Sequence, residues 1–121
     1  MDFKAMLVLD KWIQAYLILT LLDFITGFLK AYKVEGFKSS KLRSGLFNII
    51  IELVIMLLAG ILDDLLGLEI LLLSTKMLMI YKEALSIVEN AGICGVPIPD
   101  FLRDKIQDLN PNKGEKKDEE E

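Results

Sequence analysis

No histidine occurs anywhere in the 121 residues. That excludes imidazole metal ligands, imidazole general bases and Ser-His triads. A lone cysteine, Cys94, can form neither an intramolecular disulfide nor a Cys-x-x-Cys pair. There is no glycine-rich phosphate loop and no internal repeat. An enzyme has very little to work with here: no catalytic residue, cofactor or metal site suggests itself, and no nucleic-acid partner.

What the chain has instead is apolar surface. Fifty-three per cent of its residues are hydrophobic and its mean hydropathy is +0.43, high for a soluble domain of this size. Its net charge of −4 is unevenly placed. Residues 1–81 balance eight Lys/Arg against eight Asp/Glu, and the acidic excess lies in 82–121. The end, "NPNKGEKKDEEE" (110–121), is a charged low-complexity run expected to be disordered.

Three segments, Trp12–Ala31, Gly45–Leu62 and Leu65–Tyr81, each approach the roughly 20 residues needed to cross hydrocarbon as a helix. None is free of charge, because Asp23, Glu52, and Glu69 with Lys76 interrupt them. In the first, ten Leu/Ile/Phe contribute roughly −3 to −6 kcal/mol of insertion energy, against about +2.5 to +3.5 for a central Asp. The second holds twelve Leu/Ile/Val/Phe and one Glu and inserts comfortably. In the third, two central charges cost roughly 5–7 kcal/mol against about −3 to −5, so Lys76 needs a partner or Glu69 a place near the interface. A soluble bundle fits poorly: a helix apolar nearly all round must be buried, and a small domain has no room to bury three. A cleaved signal peptide is not expected either, since Asp2, Lys4, Asp10 and Lys11 balance the first eleven residues and no A-x-A-like site follows.

The fold class expected is therefore an all-α membrane protein. It has a three-span helical domain over 1–92, a proline-containing link and short amphipathic helix over 93–109, and the charged tail from 110. Lys30, Lys33, Lys38, Lys41 and Arg43 face only Glu35 in the first connector, which places that loop in the cytoplasm. The short acidic "LDDLLG" suits the outer side. Three spans then leave the N-terminus outside and the C-terminus inside.

The polar residues fall in stripes. Tyr16, Thr20, Asp23, Gly27 and Lys30 share one helical face. Lys41, Gly45, Asn48, Glu52, Ala59 and Asp63 share another, and Glu69, Lys76, Glu83 and Asn90 recur every seven residues. A sustained seven-residue period holds a seam toward a partner. Such seams act as glue between helices or line water when a protein assembles. The candidate oligomer or pore seam is Thr20, Asp23, Gly27, Lys30, Asn48, Glu52, Glu69, Lys76 and Glu83. With the second turn centred on Asp63-Asp64, Glu52 and Lys76 reach similar depth, roughly 16–18 Å from it, and are expected to pair, with Asp23 as the alternative partner. A turn at Gly67 would separate them by about 9 Å.

Beyond the spans, "YKEALSIVENAG" continues the third helix toward stop residues Asn90 and Gly92. "ICGVPIP" makes an extended link, and Pro99 can start a helix in which Leu102, Ile106 and Leu109 share a face. That helix suits the inner leaflet or a neighbour's surface.

"LDFITGFLKA", "FKSSKLRSGL", a span ending in "LDD", and "KEALSIVENAGICGVPIPDFL" together resemble the phage holins of the toxin-secretion/phage-lysis type, over roughly 22–109. "SIVEN" followed by "GVPIP" is the most specific part. The matching positions are Asp23, Gly27, Lys30, Ser39, Ser40, Lys41, Gly45, Asp63, Glu83, Ser86, Glu89, Asn90, Gly95, Pro97 and Pro99. The resemblance implies a protein of the bacterial cytoplasmic membrane that oligomerises among lipids and permeabilises them at a set time. A functionally coupled endolysin, or in some relatives a toxin, is thereby released. Two other readings stay open: a small cation- or proton-coupled transporter using Asp23 or Glu52, although repeats or broken helices around a midplane site are lacking, and a holin regulator (antiholin).

Overall fold

The computed structural model describes residues 10–34 and 39–112, with side chains in the second stretch from 43 onward. Most of the charged tail and the stripe residue Lys41 thus lie outside the described side chains. Four helices follow in order: α1 (Lys11–Val34), α2 (Ser39–Leu66), α3 (Ile70–Ile93) and α4 (Asp100–Gln107). No strand occurs among the described residues. Two of the helices, α1 and the Arg43–Leu66 part of α2, are long and apolar enough to cross a membrane. The charges of α3 keep it below that measure, in line with its unfavourable insertion sum.

Five of the helix ends have an identifiable cause. Asp10 starts α1: its carboxylate accepts the Trp12 N–H at 2.8 Å. The α2–α3 turn does not fall at Asp63-Asp64, because α2 continues through both residues to Leu66. Gly67 takes the left-handed conformation (φ +66°) and the Leu68 N–H returns to the Asp63 carbonyl at 2.8 Å, the six-to-one bond of a Schellman ending. A non-glycine residue at that φ pays a steric penalty, and this is why the turn settles on the glycine. Two apolar residues of the third apolar segment, Leu65 and Leu66, consequently belong to α2.

Asp63 also starts the next helix. Glu69, the N-cap of α3, makes no side-chain cap bond. The Asp63 carboxylate takes that role from one turn before the loop, accepting the Leu71 N–H at 3.0 Å and the Leu72 N–H at 2.8 Å. It is completely buried.

Helix α3 ends a little beyond Asn90 and Gly92. The Val96 N–H bonds the Ala91 carbonyl at 3.0 Å around Gly95 at φ +96°, a second Schellman ending. Pro99 is the N-cap of α4 rather than its first residue, with ψ 138°. Its missing N–H is no loss there. Helix α4 folds back on α3, burying Ile106 while Leu109 reaches the core. Leu102, expected on the same face, stays 45% exposed.

Helix α3 is the centre of the arrangement. Contacts of Asp10 with Lys76, Asp23 with Asn90 and Lys33 with Cys94 advance together along both chains, so α1 and α3 run parallel. Helix α2 runs antiparallel to both. It packs on α3, while α1 and α2 barely touch. The buried apolar set is small and joins all three: Ile13 and Tyr16, Met56 and Ala59, Leu72 and Ile80.

Replacing Asp63 with Ala should strand two buried N–H groups. An unfolding free energy lower by about 2 kcal/mol is expected, with Asp63→Asn losing about half as much. Urea unfolding of the full chain in detergent measures it, and unchanged midpoints for both variants would contradict the double role.

Candidate functional site

The three polar stripes meet. A cavity of about 410 Å³ opens between α1 and α2 over the face of α3. From α1 it receives Thr20, Asp23, Gly27 and Lys30, from α2 Asn48 and Glu52, and from α3 Glu83 with the motif residues Ser86 and Asn90. Seven of the nine seam residues expected from the sequence therefore surround one space. The geometry is the direct outcome of the stripes: steps of three and four keep the polar residues on one side of each helix.

Glu69 and Lys76 are not part of it. Glu69 lies exposed at the start of α3. Lys76 is buried, and its ammonium meets the carboxylate of Asp10 at the head of α1. Burial acts to raise the Asp10 carboxyl, but the bonds from Lys76 and the Trp12 N–H outweigh it and hold the group below its ordinary range. The expected Glu52–Lys76 pair does not form, and Asp23 does not replace Glu52. With the turn at Gly67 instead of Asp63-Asp64, Glu52 comes level with Lys82, six residues further along α3. Their charged ends form an ion pair.

Glu52 is the best-connected group in the cavity. Besides Lys82 it accepts the Tyr16 hydroxyl at 2.6 Å, which ties α1 to α2 across the gap. Tyr16 is completely buried and Glu52 is 6% exposed, so both exchange water for each other. The Lys82 side chain lies more than half exposed and reaches inward with its ammonium alone, as long cationic side chains do.

A second network lies two turns further along α1. The Asn90 amide donates to the Asp23 carboxylate and to the Thr26 hydroxyl, both at 3.1 Å. Thr26 in turn donates to the Asp23 carbonyl at 3.1 Å. Glu83, 5% exposed, sits against both Asp23 and Glu52. A Cβ on Gly27 would stand 3.7 Å from the Asn90 amide nitrogen, and one on Gly45 3.5 Å from the Phe24 ring. Both are ordinary contact distances, so neither glycine is sterically obligatory here.

The remaining motif residues build the end of α3. The Lys33 ammonium donates to the Cys94 carbonyl at 2.7 Å, a cation on the negative end of a helix. Gly95 supplies the positive φ, Pro99 the α4 cap, and Pro97 stands in the link between them. Glu89 is exposed. Lys82, Tyr16 and Asp10 belong to the polar system without appearing among the expected site residues. The signal for Lys82 was present: Glu52 and Lys82 lie equally far in sequence from Gly67.

Glu52 and Lys82 should behave as coupled partners. In a double-mutant cycle of unfolding free energies, Glu52→Gln with Lys82→Met should show an interaction of about 1 kcal/mol, and Glu52→Gln with Lys76→Met should add within about 0.5 kcal/mol. Strong coupling in the second cycle and none in the first would reverse the pairing.

The sequence has clear relatives. A family model described as the bacteriophage holin family matches residues 4–111. A probable holin of Bacillus phage phi105 is 31% identical over 113 residues, covering 90% of this chain and 84% of that protein. An uncharacterized protein of Bacillus subtilis (strain 168) is 31% identical over 108 residues, covering 88% and 77%. One from Clostridium perfringens is 36% identical over 103 residues, covering 84% and 76%. No solved structure matches. With the family model spanning nearly the whole chain, the protein belongs to the bacteriophage holin family, whose role is not enzymatic.

Proposed function

We propose that this holin oligomerises in the bacterial cytoplasmic membrane, crosses it three times, and permeabilises it so that a coupled endolysin or toxin gains passage. One observation carries the reading: the solvent preference of the fold is reversed. Ile18 and Phe47 are 60% and 65% exposed, whereas Glu52, Lys76 and Glu83 lie inside. In water that distribution costs heavily, and in hydrocarbon it is the expected one. The exposed apolar surface of α1 and α2 then faces acyl chains.

In the single protomer Glu52 is held by Lys82 and Tyr16, Asp23 by Asn90, and Lys76 by Asp10. Assembly offers them a second arrangement in which they face water instead, and the holin role of the family gives that exchange a purpose. The parallel course of α1 and α3, antiparallel to α2, suits three crossings. Lys76 enters as half of a pair with Asp10, which removes much of its insertion cost.

Orientation rests on the basic connector 30–44. In a Cys94→Ser background, Ser40→Cys should resist an impermeant thiol reagent in intact cells and Asp64→Cys should react. The opposite pattern would refute the placement of that loop in the cytoplasm.

The seam is tested at Asp23. Asp23→Leu should insert more readily, by roughly 3 kcal/mol, and accumulate normally, yet lose or mistime the abrupt collapse of membrane potential after induction. Lysis on the wild-type schedule would show that the seam is not involved in permeabilisation.

A further inference from the structure

Two sets of contacts mark levels across the helices. Tyr16 and Lys82 both bond Glu52, so α1, α2 and α3 share a level there. Asp23 and Asn90 mark a second level on α1 and α3. Eight residues of α3, about 12 Å of rise, separate Lys82 from Asn90.

Helix α4 lies alongside this section. The Tyr81 hydroxyl donates to the Gln107 amide oxygen at 3.5 Å, Ile106 is buried, and Leu109 packs on the cluster that contains Ile13 and Ile80. The end of α4 therefore returns to the upper level. Its eight residues rise about 12 Å, which keeps it between the two.

At this depth the two sides of the molecule differ. The exposed residues of α1 between Tyr16 and Asp23 are Leu17, Ile18, Leu21 and Leu22, and α2 presents Leu46, Phe47, Ile50 and Ile51. On α3 the exposed residues between Tyr81 and Asn90 are Lys82 and Glu89. On α4, Asp100, Arg103, Asp104, Lys105 and Asp108 are all exposed, the three acids at steps of four along one stripe. Phe101 and Leu102 are exposed too, but they belong to the first turn, nearest the membrane surface, where such side chains serve as anchors.

The charged side does not lie outside the membrane. The apolar exterior of α2, broken only by Asn48 and Asp64, runs from Leu46 to Leu66. That is about 30 Å of rise, the thickness of the hydrocarbon core. Glu52 lies six residues inside it, about 9 Å, and Gln107 shares that level. Lipid on all sides would thus put Asp104, Lys105 and Asp108 among acyl chains. Ionisable residues at such depth face either the interior of a bundle or water. These three are exposed, and the 3.9 Å contact of Lys105 with Asp108 leaves both side chains more than half accessible. Water is the alternative that remains.

We propose that α4 keeps this place in the membrane and that its outer face, with Lys82 and Glu89, borders a water-filled space between copies of the chain, while α1 and α2 face lipid. This arrangement rests on the proposed assembly of three-span copies, yet the position of α4 can be read without any permeabilisation.

The test uses the full chain with Cys94→Ser, reconstituted in phosphatidylcholine–phosphatidylglycerol liposomes holding carboxyfluorescein. A short bismaleimide should join Tyr81→Cys to Gln107→Cys, and the joined chain should still release dye. An impermeant methanethiosulfonate on both faces of the membrane should modify Asp104→Cys and Asp108→Cys at least about tenfold faster than Leu21→Cys and Ile50→Cys at the same depth, because the reacting thiolate needs water. Asp104→Leu, Lys105→Leu and Asp108→Leu combined should lose most of the dye release while still allowing the cross-link. Failure of the cross-link, or loss of release once it has formed, overturns the proposal, since α4 must then leave α3. Equal thiol rates at the four positions overturn it as well, and so does native release by the triple variant. A native chain that releases no dye refutes the permeabilising role instead, and the cross-link and thiol rates still decide where α4 lies.

Discussion

Asp63 holds the hairpin at both ends of its turn. Its backbone carbonyl terminates α2 and its side chain initiates α3, so one residue fixes where one helix stops and the next begins. Complete burial makes these bonds worth more than they would be in water, since a carboxylate there without donors would be untenable. With Gly67 carrying the reversal, every pairing along α2 and α3 follows. Residues equidistant from that glycine come level, and Glu52 therefore meets Lys82 instead of Lys76.

Lys76 is then left for α1. The parallel packing of α1 on α3 brings Asp10 to it, so the two most expensive cations of the helical region, Lys76 and Lys82, are each matched by an acid from a different neighbour. A buried charge deprived of its partner is strongly destabilising, whereas a paired one is tolerated without contributing much. Lys76 lies 6% exposed and depends on its pair. Lys82 reaches the surface and depends on it less. This division explains how α3, with too much charge to enter hydrocarbon by its own sequence, can sit between two helices whose outer faces are almost wholly apolar.

The stripes were legible in the sequence because side-chain position on a helix follows residue spacing and needs no tertiary knowledge. They brought seven of the nine expected residues around one cavity. The register was not legible to the same degree. Acidic Asp63-Asp64 resembles a polar loop between apolar runs, and only the left-handed backbone at Gly67 shows that the helix passes through it. The role of Asp63 as a cap from eight residues upstream leaves no local mark either, because Glu69 occupies the usual capping position and makes no bond there. Asp10 appeared merely to balance the charge of the N-terminal residues. Its pairing spans 66 positions and comes from parallel packing, which no short loop announces.

The two interfaces of α3 differ in kind. Helix α2 is tied to it covalently through a tight turn and by the Asp63 bonds, so that pairing survives rearrangement. Helix α1 is attached through side chains: Asp10 to Lys76, Asp23 and Thr26 to Asn90, Lys33 to the Cys94 carbonyl. In water the apolar contact between α1 and α3 would add a large hydrophobic term. In lipid that term nearly vanishes, because acyl chains solvate leucine as well as another helix does. What remains is van der Waals fit and a few polar contacts, each of roughly 0.6 kcal/mol on average. Under the proposed oligomerisation, an identical seam on a neighbouring protomer would present the same donors and acceptors. Helix α1 nonetheless makes the more extensive packing with α3 and carries the partner of the buried Lys76, so under the proposed assembly an exchange of α1 would have to replace that packing and that ion pair as well as the contacts of Asp23 and Asn90.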